Sequence, residues 1–325
     1  MHTEPYDVLI VGGGAAGLSA ALVLGRARRR IAVVDDGRPR NAPAAHMQGY
    51  LSRDGMPPAE LLAVGRAEVA RYGVEVVEGT VTRIDATSDA GFDVIVADDA
   101  ALHARRVLVT TGLVDGIPDL PGVRERWGRD LLHCPYCHGW EVRDLPVGVI
   151  GTNPGSVLHA QIVRQWSDDV VYFAHIQPPS GRERAELEAR GIAVVDGEVA
   201  RIVVDDDRLR GVELTSGEVH PRTAVFVRPE MHPRADDPLA RLGPAVGDGG
   251  FPVVDASGRT SVAGLWVAGN AADPRAQVIT AAGQGSAAAI AINNDLVLDD
   301  IRMAVAADRS GRQASVAVAG GAFDD

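Results

Sequence analysis

The chain has 325 residues, 46% of them hydrophobic, 23% charged and 4% aromatic, enough for about two domains with an unstapled core. Its 32 basic residues are all arginine and face 44 acidic ones, a net charge of −12; phosphate backbones and anionic membranes reward the opposite sign, so no nucleic-acid or membrane partner is expected. The only two cysteines, Cys134 and Cys137, exclude a disulfide framework and a multi-cysteine zinc module.

The apolar run Val8-Leu9-Ile10-Val11 follows acidic residues and leads straight into glycines, and no stretch has the length of a spanning helix. A cytoplasmic setting is the expectation. Val8–Val11 reads as a buried parallel strand, Leu18 to Arg28 as a helix and Ile31 to Val34 as a second strand. Between the first two lies Gly12-Gly13-Gly14-Ala15-Ala16-Gly17, with GxGxxG spacing, and the second strand ends on Asp35-Asp36. This is a dinucleotide fingerprint in its proper βαβ context. The glycines let a pyrophosphate approach a helix start, and an acid after the second strand holds a ribose hydroxyl.

A unit of similar plan begins near residue 147: strand Val147–Ile150, helix Gly155–Trp166, strand Val170–Ala174, helix Arg182–Arg190 and strand Ile192–Val195. Gly79 to Ile84 in the first unit matches Gly197 to Ile202 in the second. Alternating strands follow each, Phe92–Ala97 and Leu209–Leu214, and then buried runs, Val107–Thr111 and Ala224–Val227. The chain reads as internally duplicated, and the second copy has lost the groups the first uses. Gly151-Thr152-Asn153-Pro154-Gly155-Ser156 has Asn153 where a glycine would admit a pyrophosphate, and Pro154 lacks an N–H. No acid follows its second strand, and Thr110-Thr111-Gly112 has become Val227-Arg228-Pro229. From about residue 245 the pattern returns to the first unit, with strand and turn Gly264–Asn270, then Gln277 to Gly285 opening a small-residue helix Ser286–Asn293. Met303 to Asp325, rich in Ala, Gly and charge, reads as a flexible tail.

His133-Cys134-Pro135-Tyr136-Cys137-His138 precedes the second unit's first strand. Four ligands within six consecutive residues cannot surround a tetrahedral ion, so no metal is expected. Inert buried thiols are one reading; a redox dithiol is the other, since CxxC spacing closes a small disulfide ring and lowers a thiol pKa. Oxidising a dithiol also moves protons, which imidazoles carry near neutral pH. His138 is the preferred acid–base group and His133 the second.

Together, Gly12–Gly17, Thr110-Thr111-Gly112, the dithiol, Gly269-Asn270 and Gln277–Gly285 resemble the low-molecular-weight thioredoxin reductase family of flavoproteins, from Asp7 to about Leu298. The resemblance implies an α/β fold of two Rossmann-like, three-layer ββα dinucleotide-binding domains, the second inserted in the first. Expected boundaries are 1–115 and 244–302 for the FAD-binding domain, 116–243 for a degenerate NAD(P)H-type domain carrying the CxxC, and 303–325 for the tail. It implies FAD held by Gly12, Gly14, Ala15, Ala16, Gly17, Thr111 and Gly112, with Asp35 or Asp36 at the ribose, Val81 at the adenine, Asn270 by the ribityl chain and Gln277-Val278 by the ring. Arg40, Asn41, His46 and Gly49 complete the implied cofactor set, and a homodimer is implied. The family usually has aspartate where Asn270 stands. A reductase also keeps an intact second GxGxxA, a basic segment for NADPH and an aspartate at the position of His138, none of which this chain has. The run from Cys134 to Glu141 is similar instead to the dithiol oxidases of the gliotoxin and holomycin type, which implies a small-molecule dithiol substrate and dioxygen as electron acceptor. The alternative is a disulfide reductase of a small protein, fed by NADPH or by a donor such as ferredoxin.

Overall fold

The structure, a computed structural model, describes residues 4–88, 90–97, 100–234 and 237–320. The chain divides into two compact units: the chain up to Gly37, Gly65–Thr111 and the chain beyond Arg234 form the first, and Arg38–Val64 with Gly112–Arg234 the second. Both are Rossmann-like, and the second is inserted in the first. The segment 38–64, expected in the first domain, groups with the second unit.

The chain opens with β1 (Tyr6–Val11), α1 (Ala15–Arg26), β2 (Ile31–Asp35), α2 (Pro58–Ala70), β3 (Glu75–Glu78), β4 (Val81–Ala86), β5 (Phe92–Val96) and β6 (Ala100–Val109). The sheet runs β3-β2-β1-β6-β5-β4, parallel from β3 to β6 and antiparallel from β6 to β4. Parallel strands buried on both faces read as continuous apolar runs; Val8, Leu9, Ile10, Ala32, Val33 and Leu108 accordingly have no exposed surface. β6 is long enough to serve three partners, the third, a strand from later in the chain, along its second half. Its first half pairs with β5 and its second half with β1.

The second unit contains β7 (Val114–Gly116), α3 (Val123–Arg126), β8 (Leu131–Leu132), α4 (Pro135–His138), β9 (Val147–Ile150), α5 (Ser156–Val163), β10 (Val170–Phe173), α6 (Gly181–Ala189) and β11 (Ala193–Val195). It continues with β12 (Val199–Asp205), β13 (Arg208–Leu214), β14 (Val219–Pro221), β15 (Ala224–Val227) and β16 (Glu230–His232). The parallel sheet is β11-β10-β9-β15-β8, the meander β12-β13-β14 stands beside it, and β7 pairs antiparallel with β16. The counterpart of β6 is here divided into two strands, β14 paired with β13 and β15 in the parallel sheet.

The first unit is completed by β17 (Leu265–Val267), parallel to β6, a short 3₁₀ turn at Gly269–Ala271, and α7 (Val278–Gly320). Two expectations are corrected here. The small-residue helix starts at Val278 rather than Ser286, and it continues through the expected tail to Gly320; residues 321–325 lie outside those described. Alanine and arginine, without an internal proline, favour that continuation. Its middle is also moored: Arg29 reaches Asn293 and Asp300, Arg105 reaches Asp299 and Asp300, and Arg106 and Arg259 share Asp295. Residues 301–310 are exposed throughout. No helix among the described residues is long and apolar enough to cross a membrane.

α7 crosses α1 at very short range. A Cβ on Gly285 would lie inside contact distance of the Ala16 backbone, so the glycine permits an approach that no other residue allows. Around it, Ala20, Ala21, Leu24, Ala288, Ala289 and Ile292 are fully buried. Gly285→Ala should push α1 and the loop it starts from away from α7, at a cost of about 1–3 kcal/mol typical of overpacking, read as a lower midpoint in denaturant. An unchanged midpoint would show that the crossing is loose.

Candidate functional site

In the first unit the glycine loop is open on one side and tight on the other. A Cβ at Gly17 would collide with the Gly12 carbonyl, whereas a Cβ at Gly14 would meet nothing within 4 Å. Thr110 fastens the loop by donating from Oγ1 to the carbonyls of Val11 and Gly12, 3.0 and 2.7 Å away. Gly14 caps α1 without a side-chain hydrogen bond, and the first turn, with Ala15 and Ala16, has no acid. The first N–H groups of a helix have no partner within it, so an uncapped, uncharged start facing open space fits an anion. A dinucleotide pyrophosphate suits that cradle, and the residues present fit FAD.

The two candidate ribose acids differ. Asp35 accepts from the Gly13 N–H at 3.0 Å and from Arg66 at 2.5 Å, which makes it a strut under the loop. Asp36 lies one residue beyond the end of β2. Val81 opens β4 and is buried, close in sequence to Gly79, whose N–H bonds the Asp35 carbonyl. Gln277 precedes α7, and its carbonyl accepts the Ala281 N–H; Val278 is the first residue of that helix. Gly269, at the end of β17, approaches Ala16 and donates to Gln284 Oε1 at 3.0 Å.

Asn270 explains its own departure from aspartate. Its Nδ2 donates to the carbonyls of Asp273 and Ala276, at 3.0 and 2.9 Å, and so closes the loop that leads into α7. A carboxylate could only accept. Asn270→Asp should therefore loosen the 270–276 loop and lower the FAD content of purified protein several-fold, measured by absorbance after gel filtration. Retention of full flavin would assign the loop no part in holding it.

Four expected cofactor residues fall in the second unit. Asn41 accepts the Ala44 N–H through its carbonyl, His46 Nδ1 lies 3.0 Å from the Gly55 carbonyl, and Gly49 donates to Asp54. The Arg40 guanidinium forks onto both oxygens of Asp115 and lies 3.1 Å from His133 Nε2. Thr111 and Gly112 sit where the chain passes from one unit to the other.

Cys134 and Cys137 form a disulfide with Cα atoms 5.2 Å apart. Cys134 caps α4, Pro135 takes the first helical position, where a missing N–H costs nothing, and the Cys134 carbonyl accepts the N–H groups of both Cys137 and His138 at 3.1 Å. Gly139 lets the Trp166 ring press against this turn, and Tyr136 meets the same ring edge-on at 5.4 Å. Tyr136 and Trp140 remain exposed. Burial pushes the His138 imidazole below its ordinary range, with Glu141 pulling the other way, so it is neutral and able to accept a proton at pH 7. Among the described residues no cluster of His, Cys, Asp and Glu could hold a metal ion.

The loop of the second unit that corresponds to the glycine cradle is filled by its own side chains. Ser156 Oγ accepts the N–H groups of Thr152 and Asn153 at 3.1 and 3.2 Å, and Asn153 Oδ1 accepts that of Gly155 at 3.1 Å. The Arg228 carbonyl takes hydrogen bonds from Thr152 and Asn153, while its guanidinium occupies the space above Gly155. The N–H groups of Thr152, Asn153 and Gly155, which would face a pyrophosphate in an open cradle, are thus taken by the protein's own side chains.

Sequence reasoning missed His159. On α5 it follows the apolar spacing of Val157, Ala160 and Val163, which signals core, and it packs edge-on to Phe226 at 6.0 Å. Neither ring nitrogen has a partner among the described residues. Burial, then His133 and Arg228, push its pKa down to about 3, against an interaction with the His133 backbone that falls short of a hydrogen bond. His133 is pushed down to about 4 by burial and Arg40, opposed by Asp115. In the unfolded chain both take a proton near pH 6.5. Stability is therefore intact above that pH and is lost as pH falls toward 4 and 3. His159→Phe should flatten this acid limb, raising the pH 5 urea midpoint above wild type; an unchanged or lower midpoint would mean that the imidazole is satisfied in place.

A family model described as pyridine nucleotide-disulphide oxidoreductase matches residues 6–286. The crystal structure of HlmI superposes with a TM-score of 0.93 at 54% identity, covering 95% of this chain and 98% of that one. The thioredoxin reductase sirT of Leptosphaeria maculans is 30% identical over 308 residues, 89% of this chain and 93% of its own. Against the "Probable thioredoxin reductase" of Arthroderma benhamiae the identity is 36% over 152 residues, 45% of this chain, and the match spans only 38% of that protein's length. The fold is thioredoxin-reductase-like.

Proposed function

The chain belongs to the pyridine nucleotide-disulphide oxidoreductase family and binds FAD, and from that premise we propose that it is a dithiol oxidase closing an intramolecular disulfide in a small molecule of the gliotoxin or holomycin type. The observation that carries this reading is the contrast between the two cradles. The first leaves Gly14 open to a pyrophosphate, whereas the second has Ser156, Asn153 and Arg228 in its place. With no seat for NADPH, electrons enter from a dithiol. The likeness to HlmI across nearly both chains supports the same branch.

One substrate thiolate attacks Sγ of Cys134, forming a mixed disulfide and releasing Cys137 as a thiolate. The second substrate thiol gives up its proton and attacks the substrate sulfur of that bond; the product leaves as a disulfide, and Cys134 is left reduced. Two electrons have passed to the cysteine pair and two protons have been released. His138, neutral and one residue from Cys137, takes a proton as each thiol ionises. Bound FAD supplies the two-electron acceptor that restores the disulfide, with dioxygen taking the pair on to hydrogen peroxide. A homodimer and a cytoplasmic setting belong to the same reading.

The test is an anaerobic stopped-flow comparison of NADPH with dithiothreitol as reductant of the bound flavin. The small dithiol should bleach it and NADPH should not; in air, each disulfide formed should consume one dioxygen and yield one hydrogen peroxide. Bleaching by NADPH at the rate of turnover would make the chain a disulfide reductase instead.

A further inference from the structure

We infer that Arg40 is a positioning residue that holds His133 as a neutral imidazole protonated on Nδ1, a fixed hydrogen-bond donor beside the dithiol that carries no proton in turnover. A guanidinium has five N–H donors and no acceptor. With Arg40 Nη2 3.1 Å from His133 Nε2, that nitrogen must accept, and the single ring proton is left on Nδ1. Arg40 is itself held rigidly. Its Nε and Nη2 fork onto the two oxygens of Asp115 at 2.9 and 2.6 Å, and Met231 Sδ lies 3.9 Å from Nη2. Asp115 and Met231 belong to β7 and β16, which pair directly, so the anchor is a two-stranded ladder.

The charged and titratable groups facing His133 are Arg40 from the segment 38–64, Asp115 from β7, His138 from α4 and His159 from α5. Asp115 alone favours an imidazolium, and Arg40 stands on it. Burial and Arg40 together bring His133 to about 4, in keeping with the neutral form. The site of the proton follows from the contact geometry alone. Its consequence, that proton transfer falls to His138 and not to His133, rests on the dithiol-oxidase reading above.

The experiment is long-range ¹H–¹⁵N spectroscopy of histidine-labelled, FAD-loaded full-length protein in the oxidised resting state, with His133 assigned through His133→Gln. Wild type should show protonated Nδ1 and bare Nε2, unchanged from pH 7 to pH 5. Arg40→Ala frees Asp115 to face the ring, so His133 should lose its fixed tautomer and its apparent pKa should rise by roughly 1–2 units. Arg40→Lys, which keeps a donor but cannot fork, should restore the tautomer in part. Dithiothreitol oxidation by Arg40→Ala should gain a pH limb between 5 and 7 that wild type lacks. A proton on Nε2 in wild type, titration of its His133 near 6.5, or identical spectra in Arg40→Ala would each overturn the inference. The spectra need no substrate; absence of dithiol turnover in wild type would overturn the oxidase reading and leave the tautomer result standing.

Discussion

Backbone N–H groups at the start of a helix have to find an acceptor, and the two halves of this chain meet that demand in opposite ways. In the first unit the loop into α1 keeps its donors for a ligand, and Thr110 and Asp35 hold it in shape from behind. In the second, the corresponding loop supplies its own acceptors from Ser156 and Asn153. One fold thereby keeps an open loop in one copy and a self-filled one in the other. The dithiol sits on the copy whose loop is filled.

The surroundings of that dithiol are arranged to keep charge low. His133, His138 and His159 all lie below their ordinary pKa because they are buried, and the nearby arginines work in the same direction on His133 and His159. His133 and His138 flank the disulfide in sequence as neutral imidazoles, and the standing cation against His133, Arg40, is neutralised by Asp115. Arginine, always charged and planar, is suited to hold such a ring through a fork that lysine cannot make.

The duplicated βαβ plan was legible because buried parallel strands leave uninterrupted apolar runs, such as Val147–Ile150 and Ala224–Val227, whose bounds coincide with β9 and β15. The decay of the second cradle was legible from Asn153 and Pro154, since a phosphate loop tolerates neither change easily. Its filling was not, because a guanidinium over Gly155 depends on a contact between residues far apart in sequence. The contacts of Arg40 with Asp115 and His133 were hidden for the same reason, since they lie in other elements. The end of α7 was misread for a different reason: the Ala-, Gly- and charge-rich composition after Met303 carries no apolar periodicity, and residues 301–310 are exposed, so no buried face marks the helix there.

The division of one long strand into two in the second unit has a consequence for how each unit comes apart. β6 carries both the meander and the parallel sheet of the first unit on a single stretch of backbone, so neither layer can melt without tearing hydrogen bonds from the other. In the second unit the break after Pro221 separates those duties between β14 and β15. A local opening of the meander there would leave the hydrogen bonds from β15 to β9 and β8 in place, so the unit that carries the dithiol has two layers able to yield separately where the unit that holds FAD has one.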